Sequence, residues 1–371
     1  MGDGRAARGS RRGWSGYRWW LRRALAVGLC LVGWGAGAVP AKVERLNIHV
    51  LNDRLTLAVA RHPQVYLYGR IDADAPKRFA KLMQSGRIAP GSDVYLSARE
   101  GDVAAGMALG RLIRQGGMAT HLGAPRKSFP RATASRTALC VDSCAYAFFG
   151  GLYRWAPSGS DRLGLTVPLS PAANAYLKDM QVDPGDLTLA PGAPAGPVLW
   201  LTAERLEMTG ATNNGRLPTV AHYDITSATP TLDLRQLDRK GEHRLTVTCR
   251  PGQTLVVAYE RVGALRARQI VARGARSYFA LNGRPILASQ DGVSAEGDML
   301  LIRRNYPPSD LVDLLFAGSI GAWVDGRSAA FRDGFELHPW GAYKQLKVFY
   351  HACWRAAPWP PRANKTAASG Q

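Results

Sequence analysis

Acidic residues are scarce in this 371-residue chain: 28 Asp and Glu stand against 48 Lys and Arg, a formal net charge of +20. The surplus is not organised for nucleic acid. Outside the first 23 residues no basic run is longer than two, and basic residues are not interleaved with aromatics. Patterned contact with a phosphate backbone is therefore not expected. Long apolar runs are missing too. The most extended, Ala24–Ala38, is short for roughly 30 Å of hydrocarbon. Internal repeats are absent. What is present is globular in composition, 46% apolar and 20% charged, and long enough for two domains with ordinary cores.

The first residues read as an address rather than as fold. Residues 1–23 carry seven arginines and one aspartate, and small residues Ala36, Ala38 and Ala41 close the apolar run. A basic head, a short apolar body and an A-x-A-like site describe a signal peptide over residues 1–41, cut after Ala38 or Ala41. An uncleaved N-terminal anchor is the alternative. Ser10-Arg11-Arg12 lies too far from the apolar run for a twin-arginine signal, and Cys30 follows Leu29 where a lipoprotein signal wants a small residue. Cleavage after Ala38 removes seven positive charges and one negative, so the net charge falls from +20 to +14. The expectation is a periplasmic or secreted protein, with peripheral attraction to anionic membrane surfaces.

Four cysteines remain after that cut: Cys140, Cys144, Cys249 and Cys353. An even count in an oxidising compartment argues for disulfides. Of the three pairings that four cysteines allow, Cys140–Cys144 is expected as a local clip and Cys249–Cys353 as a bridge across the second half. Zinc is the rival. Cys-x3-Cys has no second close pair and no His-x-His to complete four ligands, so no metal and no cofactor is expected.

Leu46, Ile48 and Val50, then Val65, Leu67 and Tyr68, alternate as strands do. Phe79, Leu82 and Met83 behind Asp74 are spaced as a helix. Asp93–Leu96 reads as a buried strand. Met107, Leu109, Leu112 and Ile113 give a helix ending at Gly116-Gly117, and Ala119–Leu122 another strand. Gly150-Gly151 stops the apolar segment Cys144–Phe149 as a helix would be stopped. Pro184–Pro197 reads as a loop, and Thr202 opens a helix ending near Gly210. Such alternation points to α/β layers over residues 42–223. A linker is expected at 224–241. Period-two alternation then dominates (Leu245/Val247/Cys249, Leu255/Val257, Tyr278/Ala280/Leu281, Met299/Leu301, Leu346/Val348/Tyr350). It predicts an all-β, sandwich-like module over 242–357 with one helix at Ser309–Phe316. Residues 358–371 read as a disordered tail.

Within residues 64–215 several segments carry a resemblance in order. They are Leu67-Tyr68-Gly69-Arg70-Ile71, LSAREGDVAAGM (Leu96–Met107), CVDSCAYAFFGGLYR (from Cys140), YLKDMQVDP (from Tyr176) and LTAERLEMTG (from Leu201). Together they resemble the bacterial periplasmic Clp-peptidase-like proteins of the wider Clp protease/crotonase superfamily. The resemblance implies ββα units coiled into a spiral, often oligomeric, followed here by the smaller β-rich module.

That superfamily needs a hydroxyl nucleophile, an imidazole base, an orienting carboxylate and backbone donors for an oxyanion. The resemblance puts the nucleophile at Asp142, or at Ser143 after a one-residue shift. It puts the imidazole at Thr166, the third acid at Val198, and the oxyanion turn at Gly101, beside Glu100. The catalytic positions are thus substituted. Asp142 at a helix start reads as a cap, and Glu100 would repel a negative intermediate. Triad members act as a unit, so His121 or His222 would have to enter the site to restore one. Acyl-thioester chemistry on Glu100 and Asp142 is the crotonase alternative, and coenzyme A is not expected outside the cytoplasm.

Two classes of function follow. The first is a non-catalytic envelope binding or assembly module with a protein or peptide partner or a second copy of itself. Trp323, Trp340, Tyr343 and Trp354 would be core or a recognition surface. The second is an exported serine-type hydrolase using Ser143, or Asp142, with a non-standard base.

Overall fold

A computed structural model describes residues 44–124, 137–188, 198–224, 229–250, 253–289, 292–307, 310–327 and 330–356. The expected signal peptide and C-terminal tail lie outside the described residues. The chain is mixed α/β. Its first half runs β1 (Asn47–Leu51), α1 (Arg54–Ala60), β2 (Gln64–Tyr68), α2 (Ala75–Gln84), β3 (Asp93–Ser97), α3 (Val103–Gln115) and β4 (Ala119–Leu122). There follow β5 (Leu139–Val141), α4 (Ser143–Phe149), β6 (Tyr153–Arg154), β7 (Arg162–Thr166), α5 (Pro171–Asp179), α6 (Pro184–Thr188), β8 (Val198–Leu201) and α7 (Ala203–Met208). The helix α1 was hidden by Leu55, Leu57 and Val59, which alternate like a strand. Asp53 makes it a helix by accepting from the N–H groups of Leu55 and Thr56. Part of the expected Pro/Gly loop is likewise helical, as α6.

The strands fall into two ladders. One sheet has the order β1-β2-β3-β4-β6, parallel except for the β1 edge. A second has the order β5-β7-β8, extended by parallel bridges Ala98↔Cys140 and Ile71↔Gly101. Four consecutive chain segments repeat one path: β2, the Ile71 bridge, α2; β3, the Ala98–Gly101 bridges, α3; β4, β5, α4; and β6, β7, α5. Each segment leaves a strand in the first sheet, a strand or bridge in the second ladder, and a helix behind. Inward Val65, Leu67, Val94 and Leu96 are buried. Outward Tyr66, Tyr95, His121 and Trp155 stack ring on ring, with centroids 4.8, 4.8 and 4.5 Å apart. Sheet register aligns those rings, since Tyr66 pairs Tyr95 and Tyr95 pairs His121.

Helices α3 and α4 touch backbone to backbone. A Cβ on Gly106 would overlap Ser143, and one on Gly110 would overlap Tyr146 O and the Tyr176 hydroxyl. Behind them sit two arginines with only carbonyl partners. Arg154, 4% exposed, donates to Ala211 O at 2.6 Å, Gly151 O at 3.1 Å, Met180 O at 3.2 Å and Gly210 O at 3.5 Å. Arg114 on α3 donates to Gly150 O at 3.0 Å, Met180 O at 3.1 Å and Phe149 O at 3.3 Å. These carbonyls close α4, α5 and α7, the ends where helix dipoles are negative. Burial, and secondarily the charge of Arg114, pulls the Arg154 guanidinium down to about 9, so it stays protonated at neutral pH.

The second half runs β9 (Val220–Asp224), β10 (Thr231–Asp238), β11 (Gly241–Arg250), β12 (Gln253–Arg261), α8 (Ala264–Arg273), β13 (Gly274–Leu281) and β14 (Arg284–Ser289). It continues with β15 (Val293–Glu296), β16 (Met299–Tyr306), α9 (Leu311–Leu315), β17 (Ile320–Gly326), β18 (Arg332–Leu337) and α10 (Tyr343–Ala356). Two antiparallel sheets, β15-β16-β12-β11-β10-β9 and β14-β13-β17-β18, feed one apolar cluster.

Three expectations are corrected here. Of 224–241, read as a linker, the eight residues Thr231–Asp238 form the strand β10; Leu232, Leu234 and Gln236 face inward, and the charged residues between them mask the alternation. Leu346, Val348 and Tyr350 belong to the helix α10, not a strand. Its buried residues Leu346, Phe349 and Cys353 are spaced i, i+3, i+7, a helical period. The module also contains α8, so it is β-rich rather than all-β. From Glu44 onward the chain forms one compact unit. Its halves are joined by Asp93 to Arg239 at 2.8 Å, the Thr219 hydroxyl to His338 O at 2.7 Å and the Gln236 amide to Leu217 O at 2.9 Å.

Both disulfides form as expected, Cys140–Cys144 with Cα atoms 5.0 Å apart and Cys249–Cys353 with Cα atoms 5.6 Å apart. The second ties β11 to α10 across 104 residues of sequence, the first across 4. Loop-closure entropy then assigns about 4.7 kcal/mol to the long bridge and about 2 kcal/mol to the clip. Urea unfolding of Cys249→Ala/Cys353→Ala should therefore show the larger loss; equal losses, or free thiols at 249 and 353 in mass mapping, would refute this. Arg154→Met leaves buried carbonyls unsatisfied and should cost about 3–5 kcal/mol in the same assay. Arg154→Lys, with three donors in place of a planar fork, should recover only part of it.

Candidate functional site

The β5–α4 turn gathers the residues singled out from the sequence. Asp142 begins α4 from a left-handed backbone, φ 44° and ψ −101°, a conformation that costs a non-glycine residue on the order of 1–3 kcal/mol. It is held on every side. Its N–H donates to Gly164 O at 3.1 Å, its carbonyl accepts from Tyr146 N at 2.8 Å, and the Cys140–Cys144 disulfide spans it.

The helix cap expected of Asp142 is not formed: its side chain makes no bond to the N–H groups of α4. Instead the carboxylate reaches across to β7. Oδ1 accepts from Thr166 N at 2.6 Å and Oδ2 accepts from the Thr166 hydroxyl at 2.7 Å. The positions expected for nucleophile and imidazole therefore do meet, as carboxylate and hydroxyl. The positive φ at Asp142 explains the missing cap, because it swings the side chain away from the helix axis. Val198 is also adjacent, directly opposite Thr166 in the β7–β8 ladder.

Ser143 is one residue further on and differently placed. It is fully buried, and its hydroxyl has no hydrogen-bond partner among the described residues. The Oγ points at Gly101, where a Cβ would come within 2.6 Å of it and of Ile71 O. Thus Gly101 is a close-packing position as well as a turn. Glu100 faces away: its carboxylate is 75% exposed and pairs with Arg70 at 3.3 Å.

All seven histidines fall within the described residues, and none hydrogen-bonds Asp142 or Ser143. His121 sits in the aromatic stack between Tyr95 and Trp155, with Nε2 3.5 Å from Asp93. His222 is exposed on β9 opposite Asp233. Neither enters the site. Beside the turn, burial and then the Asp142 charge push the Tyr146 phenol up to about 12, so it is a neutral packing group. Its carbonyl accepts from the Tyr176 hydroxyl at 2.6 Å. Among the described residues no cluster of three or more metal-binding side chains forms.

Of the aromatics proposed for recognition, Tyr343 is 48% exposed. Trp323 and Trp340 are half-buried, and the Trp354 side chain lies outside the described residues. Sequence reasoning missed Arg114 and Arg154, which fix the far end of α4. The one available signal was a lone arginine inside the otherwise apolar Gly150–Ala156 segment. No protein-family model matches the chain, and no curated protein matches it.

The Asp142–Thr166 pair is testable by a double-mutant cycle on thermal or urea unfolding. Asp142→Ala removes a charged acceptor of two bonds and leaves the strained backbone, so it should cost about 1–3 kcal/mol. Thr166→Val should cost less, because the backbone N–H bond survives. A coupling of about 1 kcal/mol is expected; a coupling of zero would show the two side chains apart in solution.

Proposed function

We propose that this chain is an exported, Clp-peptidase-like scaffold whose substituted site serves as a structural latch, and that it acts in the envelope as a binding or assembly module. The observation that carries this reading is the Asp142–Thr166 pair, which occupies both carboxylate oxygens at the positions where a hydrolase needs a hydroxyl and an imidazole. A carboxylate whose two oxygens are both engaged by donors is a poor nucleophile. Ser143 lies behind it, packed on Gly101, without a base in hydrogen-bond reach.

The repeated strand–bridge–helix path supports the Clp/crotonase-like spiral. Two disulfides support an oxidising compartment, and no helix among the described residues is long and apolar enough to cross a membrane. The partner on this reading is a protein, a peptide or a second copy of the chain.

A fluorophosphonate probe on the full-length protein separates the two classes of function. The expected outcome is no labelling at Ser143. Labelling that is abolished by Ser143→Ala, with the variant still folded by circular dichroism, would overturn the reading in favour of an exported hydrolase.

A further inference from the structure

A second concave site lies in the other half of the chain, remote in sequence from Asp142. Residues of helix α8, Gly274 at the start of β13, and Arg327, Ala330 and Phe331 between β17 and β18 line a half-open cavity of about 570 Å³. Its size suits a small molecule rather than a single ion. Ile270, Gly274 and Phe331 give it an apolar side, and three arginines are among its lining residues: Arg266, Arg273 and Arg327.

Arg266 and Arg273 are seven residues apart on α8, two helical turns along one face. The one lining carboxylate, Asp333, is committed to Arg266, which donates to it at 2.9 and 3.0 Å. Arg273 and Arg327 have no side-chain partner among the described residues. The flank is positive as well. Two residues past Gly274, Arg276 shares Asp325 with Arg332 at 2.7 and 2.9 Å, so one carboxylate answers two arginines there. The C-terminal end of α8 opposes an anion with roughly half a negative charge. Two unpaired guanidinium groups outweigh it.

We infer that this cavity binds a phosphate-bearing ligand, its oxyanion held by Arg273 and Arg327 and its body laid against Ile270 and Phe331. Planar guanidinium forks match phosphate oxygens in pairs. The ligand is either a soluble phosphorylated molecule or a phospholipid headgroup, which present the same chemistry to the site. The inference is independent of the reading of Asp142 and survives its failure.

The test is calorimetric titration of the intact protein with inorganic phosphate and pyrophosphate at low ionic strength. Flotation with phosphatidylglycerol or phosphatidylcholine vesicles runs in parallel. Three proteins are compared: wild type, Arg273→Ala/Arg327→Ala, and a control with equal charge loss, Arg268→Ala/Arg284→Ala. Saturable phosphate or phosphatidylglycerol binding that is weakened roughly tenfold in the first double variant, and unchanged in the control, is the expected result. Binding only to the vesicles assigns the headgroup; binding only to the free anions assigns a soluble ligand. No saturable binding in either arm, or equal weakening in both variants, overturns the proposal. Circular dichroism melts confirm that each variant is folded.

Discussion

The first half of the molecule depends on a buried positive charge that no carboxylate neutralises. Arg154 and Arg114 place their donors on carbonyls just past the C-terminal ends of α4, α5 and α7. Each carbonyl would otherwise be an unsatisfied acceptor in an apolar interior. The desolvation of the guanidinium is offset by several charge-assisted bonds and by converging negative helix ends. A lysine could not span them, because its three donors radiate from one point. An ion pair in this position would have supplied one partner where several are needed.

Fixing the C-terminal end of α4 decides what its N-terminal end can do. Glycines 106 and 110 let α3 approach until the helix backbones touch, and the disulfide and the Asp142–Thr166 bonds hold the opposite end. The helix has little room to shift or rotate. Ser143 therefore faces inward at a packing contact, and the exposed side of the turn is given to a carboxylate bonded to its neighbour strand. The strain at Asp142 is retained because four separate constraints meet there. Such strain recurs at working sites, yet here the strained side chain bonds to the scaffold and not toward a groove.

Much of the α/β half was legible because its signals are local. Strand β3, helix α3, strand β4 and the Thr202 cap of α7 are set by apolar period and capping residues, and they form where the sequence places them. The pairing of the cysteines was legible from count and spacing. The convergence of Gly101, Asp142, Ser143, Thr166 and Val198 was legible only through resemblance, since no periodicity joins positions so far apart. Three things were not legible. The direction of the Asp142 side chain depends on a positive φ that the residue type does not announce. The helical state of Tyr343–Ala356 competes with a period-two reading of the same apolar residues, and packing against α9 and β9 decides it. The strand β10 hides its alternation behind Asp233 and Arg235, which face outward and pair with each other at 3.0 Å.

The arginine surplus cannot be read as a uniform cationic coat, because the arginines stand in different chemical situations. Arg154 is a buried internal cap and Arg114 a half-buried one, both spent on backbone carbonyls. Arg239 spans the two halves, on Asp93 and over the rings of Tyr153 and Trp155 at 5.7 and 6.0 Å. Arg276 and Arg332 cover the buried Tyr278 ring while sharing Asp325. Subtracting those leaves the remaining charge unevenly placed, and the cavity beside α8 has Arg273 and Arg327, without side-chain partners among the described residues, in one partly apolar lining. A partner attracted by overall charge would meet many such groups weakly and lose them to salt. A ligand that fits one pair of forks would be held by geometry, and that difference separates a site from a surface.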